Sequence, residues 1–587
     1  MRDPVVVGIA AHFHDSACCV LIGGRLVAAA QEERFTRIKH DSSLPRHAFR
    51  WCLAKAGVTI ADVDCVGWYE DPVAKLDRQL WMGLPQVPPV SPAFLFRLDA
   101  ARARRELDEL IGWDGRVEFV PHHLAHAASA FDFSGWRDAA IFTVDAVGEW
   151  ATTSYGRGSD AGVELFEEVR FPHSLGLFYS AITSYLGFDV NDAEYKVMGL
   201  APYGRPQYVD QMRALVEQLP GGQFRLDLRY FDFLGGARMY SEELCTLFGH
   251  QPRKPESELD AFTKDVARSA QVVLEEILLE KAAWLHDQVG SPRLCMAGGV
   301  ALNCVANGRI LKEGPFDELF VQPAASDAGA ALGAATIAHR RLTGGAPAAE
   351  RLDHVFLGPA YSSGEIRALL AGSQVKVQVL SDEAALADHV AERLARGEVV
   401  GWFRGAMEFG PRALGARSIL ADPRNPGMRD RVNAFVKKRE AFRPFAPAVI
   451  AERAHEHFDL DHDAPFMLET CQVRSPLDLP AITHVDGSAR PQTVHAGTNP
   501  RFHALLQAFE RRTGCPILLN TSFNLRGEPI VCTPVDALLC FVRSDLDCLV
   551  LEDVVLDRRD VPPAWIDSFR DTAPAQAGVS STVYTLL

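Results

Sequence analysis

The stretch RLCMAGGVALN, residues 293–303, decides the fold of the first half of this chain. Residues 293–296 predict a short strand that runs into Gly298 and Gly299, and a helix is predicted to follow. Glycines between a strand and a helix let the backbone approach a ligand closely, and the amides at a helix N-terminus favour phosphate or adenosine. Glycine turns of this kind are common, so this loop indicates a ligand site only in combination with other motifs.

A second loop of the same kind is VDAVGEW, residues 144–150. It follows a predicted buried strand over Ala139–Val144 and places Asp145 at the end of that strand. An opening hairpin is predicted where two apolar runs are separated by Gly23 and Gly24. The two loops and the hairpin together resemble the phosphate and adenosine loops of the actin-like ATPase superfold, which predicts an α/β fold.

The chain has 587 residues, which is too long for one hydrophobic core and predicts at least two domains. Apolar residues make up 48% and charged residues 23%, which excludes disordered, collagen-like and coiled-coil classes. The formal net charge of -16 argues against sequence-independent nucleic-acid binding, because that binding requires basic surface to neutralise phosphates. We therefore expect no nucleic-acid partner.

No stretch reaches the roughly 18–20 uninterrupted apolar residues that span a bilayer, so no membrane association is expected. The apolar run at the N-terminus is too short for a signal sequence. The 12 cysteines include no CxxC pair, which argues against a zinc ribbon and a disulfide scaffold. These features predict a reduced, cytoplasmic protein.

The segment RLTGGAPAAER, residues 341–351, has the composition of a linker between domains. After it the pattern restarts with a predicted helix over 381–398 and a predicted strand over 399–403. The expected division is a first domain over 1–345, a linker over 346–372, a second domain over 373–560 and a tail over 561–587.

A candidate metal site begins with PHHLAHAASAF, residues 121–131, where His122 and His126 share one face of a predicted helix. Asp145 ends a buried strand, and Asp327 begins a predicted helix among small residues. Two histidines and two aspartates form a mixed nitrogen and oxygen set, which suits Fe(II), Mn or Zn better than Ca. The alternatives are a satisfied histidine pair and an N-cap role for Asp327.

The basic stretch, residues 404–443, holds ten basic and four acidic residues. Its bases are Arg404, Arg412, Arg417, Arg424, Arg429, Arg431, Lys437, Lys438, Arg439 and Arg443. Glycines and prolines lie between them, and rigid turns that hold arginines suit a compact oxyanion. A nucleic-acid patch and a solvated charged surface are the alternatives.

Further polar residues follow a predicted strand in LLNTSFNLRGEPIV, residues 518–531, among them Asn520 and Ser522. HVDGSARPQTV, residues 484–494, adds Arg490 in a turn. Each motif alone is also explained as turn chemistry.

Ten motifs in order along the chain resemble those of the nodulation-protein-U and tobramycin carbamoyltransferase family. They are HDSACCVL, QEERFTRIKHD, HHLAHAASAF, VDAVGEW, KVMGLAPYG, GGVALN, FGPRALGARSIL, KKREAFRPFAP, HVDGSARPQTV and NTSFNLRGEPIV. The resemblance extends over residues 5–555. It implies an α/β protein with an N-terminal actin-like domain, as in tRNA threonylcarbamoyl-transfer enzymes, and a C-terminal YrdC-like α/β domain.

The resemblance also implies an activity, in which ATP and carbamoyl phosphate give carbamoyl-adenylate. The carbamoyl group then passes to a hydroxyl of a natural product such as an antibiotic sugar or a macrolide. ATP implies Mg(II), and the metal site implies Fe(II), with other divalent metals left open. The implied partners are ATP, carbamoyl phosphate and a small hydroxylated acceptor, and a homodimer is left open.

The same resemblance assigns residues to four roles. The metal-site residues are His122, His126, Asp145 and Asp327, and the nucleotide-site residues are Lys196, Gly298, Gly299 and Asn303. The general base for the acceptor hydroxyl is His14. The residues for carbamoyl phosphate and adenylate are Arg412, Lys438, Arg443, Arg490, Asn520 and Ser522, with Lys438 and Arg443 also expected to act in catalysis. Ala146 and Tyr195 depart from the family pattern, where glycines are frequent.

Two other functions fit parts of this pattern. One is another carbamoyl-transfer enzyme built from the same modules, acting on tRNA or in hydrogenase maturation. The net charge weighs against tRNA, and the maturation enzyme would carry CxxC pairs. The other is a non-enzymatic actin-like scaffold, which would leave Arg412, Lys438, Arg443 and Arg490 without a purpose.

Overall fold

The computed structural model describes residues 2–83, 98–235, 238–347, 351–437 and 439–569, which form two compact units. Within these residues the first unit comprises residues 2–33 and His40–Leu352. The second unit comprises Arg34–Lys39 and residues 353–569. The expected domain boundaries stay predictions, and residues 570–587 of the predicted tail lie outside the described residues.

The first unit contains two five-stranded sheets and a separate strand pair. Its strands are β1 (Val5–Ala10), β2 (Ala17–Ile22), β3 (Arg25–Gln31), β4 (Cys65–Trp68), β5 (Val117–Phe119), β6 (Ala139–Val144), β7 (Ala151–Ser159), β8 (Gly162–Arg170), β9 (Val216–Gln218), β10 (Phe224–Leu226), β11 (Arg293–Ala297) and β12 (Glu318–Val321). The helices of the first unit begin with α1 (Glu33–Thr36), whose last three residues belong to the second unit, and continue with α2 (Arg46–Ala56), α3 (Pro72–Gly83), α4 (Arg102–Glu106), α5 (His122–Phe131), α6 (Leu175–Tyr185), α7 (Glu194–Leu200), α8 (Val209–Arg213), α9 (Glu242–Phe248), α10 (Ala261–Val289), α11 (Cys304–Glu313) and α12 (Asp327–Thr343).

The two five-stranded sheets have the same topology. The first has the order β3-β2-β1-β4-β5, and the second has the order β8-β7-β6-β11-β12. In each sheet the first three strands are antiparallel, and the last two are parallel to the first. The unit is therefore a repeated α/β structure of two halves, which no sequence repeat had indicated.

The helices that follow the fifth strand of each half, α5 and α12, pack closely on one another. A Cβ atom at Gly333 of α12 would lie 1.8 Å from the backbone oxygen of Ala125 in α5, so only glycine permits this approach. The two helices carry three of the four predicted metal-site residues, with His122 and His126 on α5 and Asp327 at the start of α12. The repeat thus determines where these residues meet.

Most local predictions for the first unit are confirmed. The opening hairpin joins β2 to β3 through Gly23 and Gly24, whose φ angles of 59° and 79° lie in the left-handed region. The predicted helix over 121–131 is α5. The N-cap role of Asp327 is wrong, because Ser326 occupies that position and Asp327 is the first helical residue.

The second unit is built on an eight-stranded mixed sheet with the order β13-β22-β21-β14-β15-β20-β16-β19. Its strands are β13 (Gln378–Val379), β14 (Val400–Phe403), β15 (Arg417–Ala421), β16 (Ala446–Ile450), β17 (Cys471–Gln472), β18 (Ser488–Ala489), β19 (Gln492–Val494), β20 (Ile517–Ser522), β21 (Cys548–Leu551) and β22 (Val554–Asp557). Its helices are α13 (Ser363–Leu370), α14 (Glu383–Ala395), α15 (Met428–Arg431), α16 (Ala454–His457), α17 (Pro500–Thr513), α18 (Pro534–Arg543) and α19 (Pro563–Phe569).

The segment Arg34–Lys39 belongs to this second unit although it lies far from the rest of it in sequence. Arg37 donates hydrogen bonds to the backbone oxygens of Ile530 at 2.6 Å and Pro529 at 2.8 Å. Arg34 donates to the backbone oxygen of Gly410 at 2.8 Å.

The helices of the described residues include none with the length and hydropathy needed to span a membrane.

Candidate functional site

The structure brings His122, His126, Asp145 and Asp327 into one buried cluster in the first unit. The Nε2 atoms of the two histidines lie 3.0 Å apart. Asp145 Oδ2 lies 3.1 Å from Nε2 of His122 and 3.7 Å from Nε2 of His126. Asp327 Oδ1 lies 3.7 Å and 3.8 Å from the same two nitrogens. Four ligand atoms, two nitrogens and two oxygens, therefore converge on one point.

Secondary structure places each of these four side chains. His122 is the first residue of α5, and its backbone amide donates to Glu149 at 2.9 Å. His126 lies one turn later on the same face. Asp145 directly follows β6, and its Oδ1 accepts a hydrogen bond from the amide of Gly299 at 2.8 Å. The glycine loop that contains Gly298 and Gly299 therefore supports the cluster directly.

Burial and mutual contact shift the pKa values of the residues in this cluster away from their ordinary values. Burial disfavours a charged imidazole, but the hydrogen bond to Asp145 and the charge of Asp327 raise the pKa of His122 to about 9. Burial also raises the pKa of Asp327 to about 7. Burial opposes ionisation of Asp145, but hydrogen bonds from both histidines hold its pKa well below the ordinary value.

These residues fit a divalent metal ion. Two imidazole Nε2 atoms 3.0 Å apart can share only one proton, and Oδ2 of Asp145, an acceptor, lies 3.1 Å from Nε2 of His122, so one proton cannot serve both contacts of that nitrogen. A cation between the rings would use both lone pairs and both carboxylates. Mixed imidazole and carboxylate ligation suits Fe(II), Mn(II) and Zn(II).

A second polar cluster surrounds His14. Its Nδ1 lies 2.9 Å from Oδ2 of Asp15, and its Nε2 lies 2.8 Å from the backbone oxygen of Asn191. His40 stacks on His14 with ring centroids 4.4 Å apart, and its Nδ1 lies 2.7 Å from Oδ1 of Asp15. Asp15, His40 and Asn191 all have positive φ angles, which non-glycine residues rarely adopt. Such strain is concentrated at functional sites.

One hydrogen bond links the two clusters. Ser326 Oγ donates to Oδ2 of Asp15 at 2.9 Å, and the next residue is Asp327 of the metal-type cluster. Burial lowers the pKa of His14, but the charge of Asp15, its hydrogen bond and the charge of Asp327 together outweigh burial, and the pKa lies above its ordinary value. His14, predicted as a base, therefore lies in a preorganised network beside the His/Asp cluster.

The predicted nucleotide-site residues have mixed surroundings. Gly298 has a φ of 95°, and a Cβ atom there would lie 2.3 Å from the backbone oxygen of Val144, so the loop requires glycine. Asn303 caps α11 and exchanges hydrogen bonds with Gln271 at 3.0 Å in both directions. Lys196 is buried on α7, 5.6 Å from the ring centroid of Phe188. The structure thus gives Asn303 a structural role.

The two departures from the family pattern are accommodated locally. Ala146 has no positive φ angle and is buried. Gly176 lies against it, where a Cβ atom would meet the Cα atom of Ala146 at 2.6 Å. Tyr195 is half-buried on α7. The backbones of residues 146 and 176 approach each other closely because residue 176 is a glycine, so residue 146 can be alanine.

The basic stretch does not form one charged surface. Arg404 is buried and forms a two-pronged ion pair with Glu383 at 2.8 and 2.9 Å. Arg431 pairs with Asp547 at 2.7 Å. Arg417 is fully buried and donates to three backbone carbonyl groups. These bases hold packed turns together, as the interleaved glycines and prolines indicate.

The residues predicted for carbamoyl phosphate lie in the second unit, except that Lys438 lies outside the described residues. Arg412 and Arg490 are half-buried. Arg443 lies 3.6 Å from Glu440. Asn520 and Ser522 lie on the same face of β20, because side chains two residues apart in a strand share a face.

Sequence reasoning missed Lys437, which lies beside the predicted Lys438. Lys437 ends a π-helical turn over Val432–Lys437, and its Nζ donates to the backbone oxygens of Ser522 and Asn524, both at 2.7 Å. Burial lowers its pKa well below the ordinary value, and the charge of Arg439 acts in the same direction. The sequence KKR at 437–439 does not show that Lys437 is buried and hydrogen-bonded.

Replacing Lys437 by methionine is expected to lower the free energy of unfolding by about 2 kcal/mol or more. The change leaves several buried acceptors without a donor, and unsatisfied buried groups carry that cost. Chemical denaturation measures it, and the exposed Lys376→Met, expected to change stability by less than about 0.5 kcal/mol, is the control. Equal stability of the two variants would show that the Lys437 hydrogen bonds contribute nothing.

Comparison with protein families accounts for both units. The "Carbamoyltransferase N-terminus" family model matches residues 5–80 and 107–336. The "Carbamoyltransferase C-terminus" model matches residues 391–558.

Three relatives extend over large parts of the chain. The uncharacterized protein sll1178 of Synechocystis is 45% identical over 96% of this chain and 99% of its own length. Nodulation protein NolNO of Sinorhizobium fredii is 41% identical over 94% of this chain and 80% of its own length. The 3'-hydroxymethylcephem-O-carbamoyltransferase of Amycolatopsis lactamdurans is 37% identical over 50% of this chain and 54% of its own length.

A solved structure of HypF from T. kodakarensis covers 58% of this chain and 49% of its own, with 13% identity and a TM-score of 0.32. The family matches, and not this structural likeness, identify the chain. They extend over both units and agree with the resemblance that the ordered motifs had indicated. The chain belongs to the nodulation-protein-U-like carbamoyltransferase family, and it is a carbamoyltransferase enzyme.

Proposed function

We propose that this enzyme is an ATP-dependent O-carbamoyltransferase. It hydrolyses carbamoyl phosphate with one water to carbamate and phosphate, and the carbamate displaces pyrophosphate from ATP to give carbamoyl-adenylate. The carbamoyl group then passes to a hydroxyl of a secondary metabolite with release of AMP. The name of the cephem O-carbamoyltransferase relative supports oxygen as the accepting atom. The first unit has the predicted actin-like fold in this proposal, which its repeated sheet topology supports. The YrdC-like fold of the second unit stays a prediction.

One observation carries the proposal, namely the hydrogen bond that joins the His14 network to the His/Asp cluster through Ser326. Transfer of a carbamoyl group to a hydroxyl needs a base near the accepting oxygen. It also needs a group near the carbamoyl carbon that stabilises the developing negative charge. A divalent metal held by His122, His126, Asp145 and Asp327 would supply Lewis acidity when bound. Asp15 would hold the ring of His14 through Nδ1, and Nε2 would take the proton from the hydroxyl once it is released from its hydrogen bond to the backbone oxygen of Asn191.

The metal of this proposal is divalent, with Fe(II) the prediction from the family resemblance. Both carboxylates and both imidazoles come from buried side chains, so water is largely excluded from the ligand atoms. The expected partners are ATP with Mg(II), carbamoyl phosphate and a small hydroxylated acceptor.

The test uses the purified full-length protein with ATP, carbamoyl phosphate and Fe(II), without an acceptor. Pyrophosphate release and mass spectrometry of carbamoyl-adenylate are the measurements. We expect adenylate only when both substrates are present. A folded, metal-loaded protein that releases no pyrophosphate, either alone or with hydroxylated acceptors, would contradict the proposal.

Arg443→Ala is expected to raise the KM for carbamoyl phosphate by roughly 10- to 100-fold, because charge-assisted hydrogen bonds to an oxyanion are strong. Pyrophosphate release at varied carbamoyl phosphate measures this change. Arg431→Ala, in the same basic stretch but paired with Asp547, is the matched control and should keep the KM within about twofold. An unchanged KM in Arg443→Ala would remove Arg443 from the substrate site.

A further inference from the structure

His40 lies against His14 in the first unit, with a carboxylate at each of its ring nitrogens. Its Nδ1 lies 2.7 Å from Oδ1 of Asp15, and its Nε2 lies 3.1 Å from Oδ1 of Asp192. Burial opposes ionisation of Asp15, but the charges of His14 and His40 hold its pKa well below the ordinary value. Asp192 is partly exposed to water, which stabilises its charge. Because a carboxylate only accepts, each ring nitrogen of His40 carries a proton, and His40 is an imidazolium.

His14 has neighbours that stabilise a positive charge less strongly. Its Nδ1 lies 2.9 Å from Oδ2 of Asp15, but its Nε2 faces the backbone oxygen of Asn191 at 2.8 Å. A neutral carbonyl group stabilises a charged ring less than a carboxylate does. As the pH rises, His14 therefore loses a proton before His40 does. The proton leaves from Nε2, because Asp15 holds the one at Nδ1.

The two rings are close enough for their charges to repel each other. They stack with their centroids 4.4 Å apart and their planes inclined by 24°. Like charges at this distance repel strongly even at an effective dielectric constant of about 20. Burial and the charge of His40 therefore both lower the pKa of His14, whereas the charge of Asp15 raises it.

Two further carboxylates act on this pair of rings. Oε2 of Glu33 accepts a hydrogen bond from the backbone amide of His40 at 2.8 Å, and the charge of Asp327 raises the pKa of His14. Both favour protonated rings, so His40 supplies positive charge that opposes them at His14. The φ angle of His40 is 54°, and such strain persists only where the surrounding structure fixes a residue.

We propose that His40 is a positioning residue whose fixed positive charge makes His14 release its Nε2 proton near neutral pH. His14 then meets the acceptor hydroxyl in the neutral form that can take a proton, with the hydroxyl in the place of the Asn191 oxygen. This assignment rests on the proposed function, in which His14 is the general base, and it deepens that function by naming the group that sets the strength of the base.

The test measures the protonation of single histidines by NMR on the full-length protein. The histidines carry nitrogen-15, and the protein is loaded with one equivalent of Zn(II), which is diamagnetic. His14→Ala removes the signal of His14, and Asp192→Asn moves the signal of His40, because it takes a carboxylate from Nε2. In the wild type we expect the titration midpoint of His14 to lie below that of His40 by at least about one pH unit.

Two variants at position 40 separate charge from shape. His40→Gln removes the positive charge and should raise the midpoint of His14 by at least about one pH unit. His40→Arg keeps a positive charge and should hold that midpoint within about half a pH unit of the wild type. A merely structural role of His40 would give both variants the same midpoint. His47→Gln is the matched control and should leave it unchanged, because His47 Nδ1 lies 2.6 Å from Glu32, away from this pair.

The outcomes separate this assignment from the proposed function. A His40 that titrates below His14 in the wild type overturns the assignment without any variant at position 40. An unchanged or lowered midpoint of His14 in folded His40→Gln overturns it as well. No acceptor and no carbamoyl phosphate enter this titration, so its result is independent of the pyrophosphate assay. The expected titration without pyrophosphate release would refute the proposed function alone, and the reverse result would refute only the role of His40.

Discussion

Replacing His122 by alanine is expected to abolish stoichiometric metal binding and to lower the rate of carbamoyl transfer by about 100-fold or more. His122 Nε2 lies within 3.1 Å of both His126 and Asp145 and within 3.7 Å of Asp327. Its loss removes the ligand that contacts every other member of the cluster. Loss even of groups that only orient metal ligands costs 10- to 100-fold, so loss of a ligand should cost more.

His123→Ala is the matched control for this variant. His123 follows His122 on α5 and is equally buried, but its Nδ1 lies 2.7 Å from Oγ1 of Thr143, outside the cluster. Metal content after dialysis, measured by mass spectrometry of the elements, should fall in His122→Ala and persist in His123→Ala. Retention of one bound metal per chain in His122→Ala would show that the cluster is not the metal site.

His14→Ala is expected to slow carbamoyl transfer by roughly 10²- to 10⁴-fold while pyrophosphate release without an acceptor stays near the wild-type rate. The range is that of a positioned general base. His14 is fixed by Asp15 at 2.9 Å and stacks on His40, so the alanine variant removes the base and leaves the supporting carboxylate. Single-turnover assays of the two half-reactions measure the separation.

His47→Ala controls for the loss of a histidine bonded to a carboxylate. His47 Nδ1 lies 2.6 Å from Glu32, and its side chain is half-exposed, away from the network that links His14 to Ser326. Both half-reactions should keep their wild-type rates in this variant. An equal loss of both half-reactions in His14→Ala would contradict the role of His14 as the base for the acceptor.

Local structure was predictable wherever the signal lies within a few residues. The glycine pair at 23 and 24 specifies a hairpin because both positions need positive φ angles. The spacing of His122 and His126 places both on one helix face. The N-cap of α12 was not predictable at single-residue accuracy, because Ser326 and Asp327 are both good N-cap residues.

Long-range structure had little support in the sequence beyond the ends of predicted strands and helices, and the family resemblance supplied the rest. Nothing in the spacing of residues 122, 145 and 327 brings them together; the packing of two repeated halves does. The ion-pair partners of Arg404 and Arg431 lie 21 and 116 residues away, so the charge count of the basic stretch overstated its free charge. Glu408 gave no signal at all, because its partners are backbone amides.

The division of the donor set between the two repeated halves has a consequence for the engineering of this fold. His122 and His126 come from the half that ends with α5, whereas Asp145 and Asp327 come from the half that begins with β6. Neither half alone contains the whole set, since the first contributes only imidazoles and the second only carboxylates. A chain cut between α5 and β6 would likewise separate imidazoles from carboxylates, so metal uptake by the mixed fragments would report their reassembly.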